Sequence, residues 1–216
     1  MAPAKFRRIS RHVYGELLAA HGPQHWWPGD SVFEIMVGAV LTQNTAWSNV
    51  ERAIANLKKA RALSARAIVK TRQDRLARWL RPSGYFNVKS KRLRAFCKWI
   101  VASGGVRALS KLPTGTLRAA LLAVHGVGPE TADDILLYAF RRPVFVIDAY
   151  TRRLFTRLGA ISGSESYESL RRLFETSLQA GEPLYNQYHA LIVRHAKDIC
   201  RPKPRCGDCC LSGGCP

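Results

Sequence analysis

Apolar residues recur at intervals of three and four along most of the chain. Phe33, Met36, Val37, Val40 and Leu41 form one such stripe, and Ala132, Ile135, Leu136 and Ala139 form another, the spacing of helices that bury one face. Clusters of Gly, Pro and Ser interrupt this pattern at 21–30, 81–84, 103–105, 126–129, 141–143 and 159–164, where helices stop. The pattern predicts an all-α protein of about eight to ten short helices. The only strand-like run is Val144, Val146 and Ile147 within 143–147. It is short and has no pairing partner, so an extended connector is expected there. No internal repeat or low-complexity linker occurs, so any division into domains is a division by packing.

With 216 residues, 47% of them hydrophobic, the chain can bury a sizeable core as one unit or as two small, intimately packed domains. The 34 Lys and Arg against 15 Asp and Glu give a formal charge of +19, spread along the whole sequence. That excess points to a polyanionic partner, with nucleic acid foremost, although a ribosomal or membrane-surface protein has a similar charge balance. The basic stretch from Met1 to Arg11 leads into no long apolar run, and nothing reaches transmembrane length. The expectation is an intracellular protein, in the cytoplasm or on the nucleoid, without a membrane partner. In a reducing compartment the six cysteines read as metal ligands or buried thiols, and five of them lie between Cys200 and Cys215.

Residues 117–140 read as helix, tight turn, helix. His125, Gly126, Val127 and Gly128 form the turn, and Pro129 opens the second helix. Such a turn can present backbone N–H groups to a DNA phosphate, or it can simply join two helices. Asp148 precedes the helical run Ala149-Tyr150-Thr151-Arg152-Arg153. It suits an N-cap, and equally a carboxylate that stabilises positive charge on a sugar.

The run Gly126-Val127-Gly128-Pro129-Glu130-Thr131-Ala132 with Asp148 twenty residues past Gly128 resembles the helix-hairpin-helix DNA glycosylases with the Gly-Pro/Asp signature, the endonuclease III superfamily. The resemblance implies that the hairpin residues hold DNA and that Asp148 is catalytic. Bifunctional members carry a lysine where this chain has Glu130, and a carboxylate cannot form an imine. A monofunctional glycosylase is therefore expected. Glu130 itself either complements the helix dipole, as Asp133 and Asp134 also do on this reading, or faces the base pocket.

Two further segments are similar to the 3-methyladenine DNA glycosylase branch of that superfamily: Trp26-Trp27-Pro28, and Thr42-Gln43-Asn44-Thr45-Ala46-Trp47. They imply a base pocket of Trp26, Trp27, Pro28 and Trp47. Electron-rich indole faces there favour a flipped, cationic alkylpurine by ~1 to 2 kcal/mol. Gln43 corresponds to the residue that fills the gap left by the flipped nucleotide; otherwise it is a helix-terminal amide bonded to backbone. Trp79 and Trp99 are assigned to the core. Three other readings stand beside this one: a bifunctional glycosylase and lyase for oxidised pyrimidines, a mismatch-specific adenine glycosylase, and a non-catalytic DNA-structure-binding protein.

Cys200, Cys206, Cys209 and Cys215 have gaps of five, two and five residues. By spacing alone, zinc and an iron-sulfur cluster are equally served. The arrangement resembles the four-cysteine loop of endonuclease III, which implies a structural [4Fe-4S] cluster. The first gap is one residue shorter than usual, and Cys210 is an alternative third ligand. Lys203 and Arg205 are read as phosphate contacts, with Arg194, Lys197 and Arg201 nearby. Cys97 is read as a buried thiol. The resemblance further implies a bilobal fold with a six-helix domain over 26–142, a second domain from 1–25 and 143–216 with the cluster loop, and a DNA cleft between them. A monomer acting on damaged double-stranded DNA is expected, with the preferred lesion left open.

Overall fold

The computed structural model describes residues 3–215. Met1, Ala2 and Pro216, the outermost residues of the expected second domain, lie outside the described residues. The chain is all-α, with twelve α-helical segments among the described residues and no strand. That exceeds the expected eight to ten because several helices run for only one or two turns. No helix among the described residues is long and apolar enough to cross a membrane.

Two compact units are formed. A hairpin unit covers residues 27–140, and a split unit combines the residues up to Trp26 with those from Arg141 onward. Trp26, Arg141 and Arg142, assigned from sequence to the middle domain, fall in the split unit.

The hairpin unit contains α2 (Val32–Leu41), α3 (Trp47–Lys59), α4 (Ala65–Lys70), α5 (Gln73–Leu80), α6 (Phe86–Ala102), α7 (Val106–Leu109), α8 (Thr114–Leu122) and α9 (Pro129–Asp134). These are eight segments where six helices were expected, the shortest being α7, followed by α4 and α9. Ser31 starts α2 by accepting the Glu34 N–H at 3.2 Å, an N-cap contribution of about 1 kcal/mol. From Met36 to Leu41 the helix is buried throughout, as an element at the centre of a helical layer must be.

Its C-terminus is held by Lys89, a buried lysine whose Nζ donates to the carbonyls of Leu41 at 2.9 Å and Ser83 at 2.6 Å. Burial, with Arg92 nearby, lowers this ammonium to about 8. Trp79 and Trp99 sit half-buried at the margin of the core rather than inside it, Trp99 stacking on Phe96 at 5.7 Å.

The split unit is built from α1 (Pro3–His21), α10 (Ala149–Arg157), α11 (Tyr167–Leu178) and α12 (Glu182–Asp198), followed by the cysteine loop. Its core is aromatic. Phe174 meets Phe145 at 4.3 Å, Phe155 at 4.8 Å and Phe6 at 4.9 Å, contacts worth about 0.5–1.5 kcal/mol each beyond burial. The Tyr188 hydroxyl donates to the Ser10 carbonyl at 2.6 Å, fastening α12 to α1.

The expected extended connector is present and fully buried from Val144 to Ile147. Without a strand partner, two of its N–H groups turn to side chains, Phe145 donating to Glu175 at 3.0 Å and Ile147 to the Tyr167 hydroxyl at 3.5 Å, while the Val144 N–H donates to the Arg142 carbonyl at 2.8 Å.

Candidate functional site

Asp148 stands where the buried connector enters α10. Extended backbone at φ −98° and ψ −179° aims its carboxylate back over the first helical turn, and Oδ1 accepts the Thr151 N–H at 2.7 Å. Oδ2 lies 3.4 Å from Nε2 of His189, a buried side chain of α12. Burial pushes the Asp148 carboxyl up. Attraction to His189 and the hydrogen bonds from His189 and Thr151 outweigh it, and the net shift is downward. The residue is therefore both a helix cap and a buried carboxylate held ionised. His189 was not singled out from the sequence, because a lone histidine in the apolar run Tyr188-His189-Ala190-Leu191 carries no local signal.

In the hairpin, α8 leads through residues 123–128 into α9, which widens to a π-helical turn over Ile135–Ala139. Gly126 has φ +86°, and a Cβ there would lie 2.3 Å from Cγ of Arg92, so only glycine fits. Gly128 has ordinary extended backbone, and the space above its Cα is open. Val127 serves the turn itself, with a buried side chain and an N–H donated to the Val124 carbonyl at 3.0 Å. His125, Gly128 and Glu130 are exposed.

Asp133 was expected to complement the helix dipole; instead it is fully buried and takes two bonds from Arg118 of α8, at 2.7 and 3.0 Å. This bidentate pair clamps the two arms of the hairpin together. Asp134 is likewise buried.

Gln43, just past α2, braces the same turn. Its Nε2 donates to the Gly126 carbonyl at 3.0 Å and to Oγ1 of Thr131 at 3.1 Å, while Oε1 accepts from Arg92. One of these bonds is to backbone, as the amide reading of Gln43 expects. Insertion into a duplex would require all three bonds to be released.

The aromatic residues divide between the units. Trp27 and Trp47, both half-buried, meet edge to face at 5.1 Å, and Trp27 packs on Tyr138 of the π turn at 5.0 Å. Gly38 of α2 lets both indoles approach: a Cβ there would lie 3.2 Å from Nε1 of Trp27 and 3.2 Å from Cη2 of Trp47. The Trp47 N–H is buried with no hydrogen-bond partner among the described residues. Tyr138 was missed because it lies beside the stripe Ala132, Ile135, Leu136 and Ala139, in a run that reads as core. Trp26 belongs to the split unit, and Pro28 is exposed.

Cys200, Cys206, Cys209 and Cys215 all line one cavity of about 230 Å³, closed on its apolar side by Leu154, Leu158 and Leu211. Cys210 does not line it, so Cys209 is the third thiol of the set. Burial, and to a lesser degree the three other cysteines, push the Cys209 thiol up. The donor set thus fits a four-thiolate metal group.

Two arginines of α10 hold the loop. Arg153 donates to the carbonyls of Cys200 at 2.8 Å and Ala196 at 2.9 Å, and Arg157 reaches Sγ of Cys200 at 3.3 Å and the carbonyls of Arg201 and Pro202. The helix capped by Asp148 is therefore anchored to the cysteine loop at its other end. The i, i+4 spacing of Arg153 and Arg157 was legible, but their target was not. Lys203 is exposed, and Arg205 is paired with Asp208 at 2.7 Å.

Residues 37–180 match the HhH-GPD superfamily base excision DNA repair proteins. The chain belongs to the HhH-GPD superfamily. At 45% identity it aligns with a Methanocaldococcus jannaschii protein named for the DNA repair glycosylases, over 100% of this chain and 99% of the other. The solved structure of H. pylori 3-methyladenine DNA glycosylase bound to 1,N6-ethenoadenine has a TM-score of 0.75 and 29% identity, covering 91% of this chain and 98% of that one. An endonuclease III–DNA complex has a TM-score of 0.84 at 18% identity, covering 97% and 94%, and shows the shared HhH-GPD fold.

Proposed function

We propose that this HhH-GPD protein is a monofunctional DNA glycosylase that hydrolyses the N-glycosidic bond of alkylated purines in damaged duplex DNA. The observation that carries the reading is the aromatic group Trp27, Trp47 and Tyr138, with both indoles seated against Gly38 and Tyr138 packed on Trp27. Electron-rich faces select a cationic, flipped purine. Similarity to the H. pylori 3-methyladenine enzyme, whose structure holds 1,N6-ethenoadenine, supports the same substrate class.

The hairpin around Gly126 and Gly128, with His125 exposed beside it, holds the phosphate backbone. Asp148, held ionised by its burial partners, stabilises the positive charge that develops on the deoxyribose as the C1′–N bond lengthens. The bond's electron pair leaves with the purine and neutralises its charge, so no acid is required. Water then adds to C1′ and gives up a proton, leaving an abasic site. Glu130 cannot act as an imine-forming nucleophile, and Lys89 is committed to two carbonyls in the core. The four cysteines that line one cavity would hold a [4Fe-4S] cluster, with Lys203 on the outside of the loop as a phosphate contact; a group with four protein ligands supplies structure rather than chemistry.

The test is release of free bases from methylated duplex DNA, resolved before and after alkali and compared with a thymine-glycol duplex. Free 3-methyladenine with strand breaks only after alkali is the expected result. Cleavage of the thymine-glycol strand without alkali would overturn it in favour of the bifunctional reading.

A further inference from the structure

Cys210, the one tail cysteine outside the four-thiol cavity, has its own surroundings. Its Sγ groups with ring nitrogens of His21 and His195, all three ligand atoms lying within 4.8 Å of one another. The donors come from three places in the split unit: the last residue of α1, the last turn of α12 and the cysteine loop. Nε2 of His21 lies 3.0 Å from Nδ1 of His195, with the rings tilted at 64°. His195 is fully buried, and its Nε2 faces Sγ of Cys209 at 3.4 Å.

If Cys209 is a cluster thiolate, as the preceding section infers, it can only accept. Nε2 of His195 must then carry the ring proton, which turns the lone pair of Nδ1 toward His21 and Cys210. Metal-binding imidazoles are oriented by such a donation from their other nitrogen. Two imidazoles and a thiolate are a donor set suited to Zn²⁺. Tetrahedral zinc, with Zn–N near 2.0 Å and Zn–S near 2.3 Å, sets its ligand atoms about 3.3–3.6 Å apart. The separations from Cys210 Sγ, at most 4.8 Å, exceed that by little more than an ångström, and the donors lie at helix ends and in a loop.

We propose that His21, His195 and Cys210 form a second metal site, separate from the four-cysteine loop, which takes one Zn²⁺ with water in its fourth position. Binding displaces the Cys210 thiol proton to solvent and joins α1, α12 and the loop through one ion. The donor grouping stands whether or not the four-cysteine loop holds iron; only the tautomer of His195 depends on that reading.

The experiment uses protein purified anaerobically, incubated with zinc sulfate and passed into metal-free buffer, with zinc and iron measured per chain in wild type, Cys210→Ser and His21→Gln. One zinc beyond the metal of the four-cysteine loop is expected, falling at least tenfold in both variants while iron and helical circular dichroism stay at wild-type level. Should the loop hold zinc instead of iron, wild type carries two zinc ions and each variant one, so the second site is read independently of the first. If Cys210→Ser disturbs the neighbouring loop and loses its metal, His21→Gln, altered at a half-buried helix end, decides alone. Wild type with no zinc beyond the loop's metal, or zinc retained in His21→Gln, would overturn the proposal.

Discussion

Asp148 shows how one side chain can answer to two demands. As an N-cap it contributes about 1 kcal/mol, a role asparagine can also fill; as a charge it has no neutral substitute. Asp148→Asn is therefore expected to keep the fold and bind damaged duplex within about threefold of wild type, while base release falls by about 10²–10³-fold. Single-turnover release alongside a binding titration measures both. The carboxyl's pKa lies below its ordinary 3.8 in the folded protein. Its charge therefore adds stability that is fully present above that value and is lost as pH falls below it. The difference in melting temperature between wild type and Asp148→Asn should accordingly shrink below about pH 4. His189 helps to depress that pKa through the contact at 3.4 Å. His189→Leu is expected to move the acid limb of the rate profile to higher pH. An unmoved limb would show that Thr151 and the connector alone hold the carboxylate.

At the scale of elements, the hairpin depends on groups that its motif does not contain. Arg118 and Asp133 join its arms through two hydrogen bonds, with Asp133 wholly buried. Breaking such a pair strands a charge, and Arg118→Ala is expected to cost about 3–5 kcal/mol in urea denaturation. Gln43 ties the turn to the end of α2. Gln43→Ala should therefore lower stability by about 1–3 kcal/mol and weaken binding of undamaged and damaged duplex alike. A loss confined to damaged DNA, at unchanged stability, would favour the role of filling the gap left by the flipped nucleotide. The cap of α10, the connector before it and the arginines after it place Asp148 more firmly than any local propensity does. Of these, only the cap and the connector were readable from sequence, because each is signalled within a few residues.

For the molecule as a whole, a formal charge of +19 predicts binding dominated by phosphate contacts, with affinity for duplex DNA falling by about 10³-fold between 50 and 200 mM salt. A shallow salt slope in a titration would show that most of this charge serves other ends. The helical period, the hairpin signature, Asp148 and the four-cysteine set were all determined by the sequence, because each depends on residue type at short spacing. Tertiary structure alone decided the rest. It bonded Val127 and Gln43 within the hairpin unit, brought Tyr138 to Trp27, set Cys209 rather than Cys210 on the four-cysteine cavity, and set His189 against Asp148 across 41 positions of chain. Such pairings depend on which helix faces pack together, and packing is settled by burial summed over the core, a quantity that no single segment of the sequence carries.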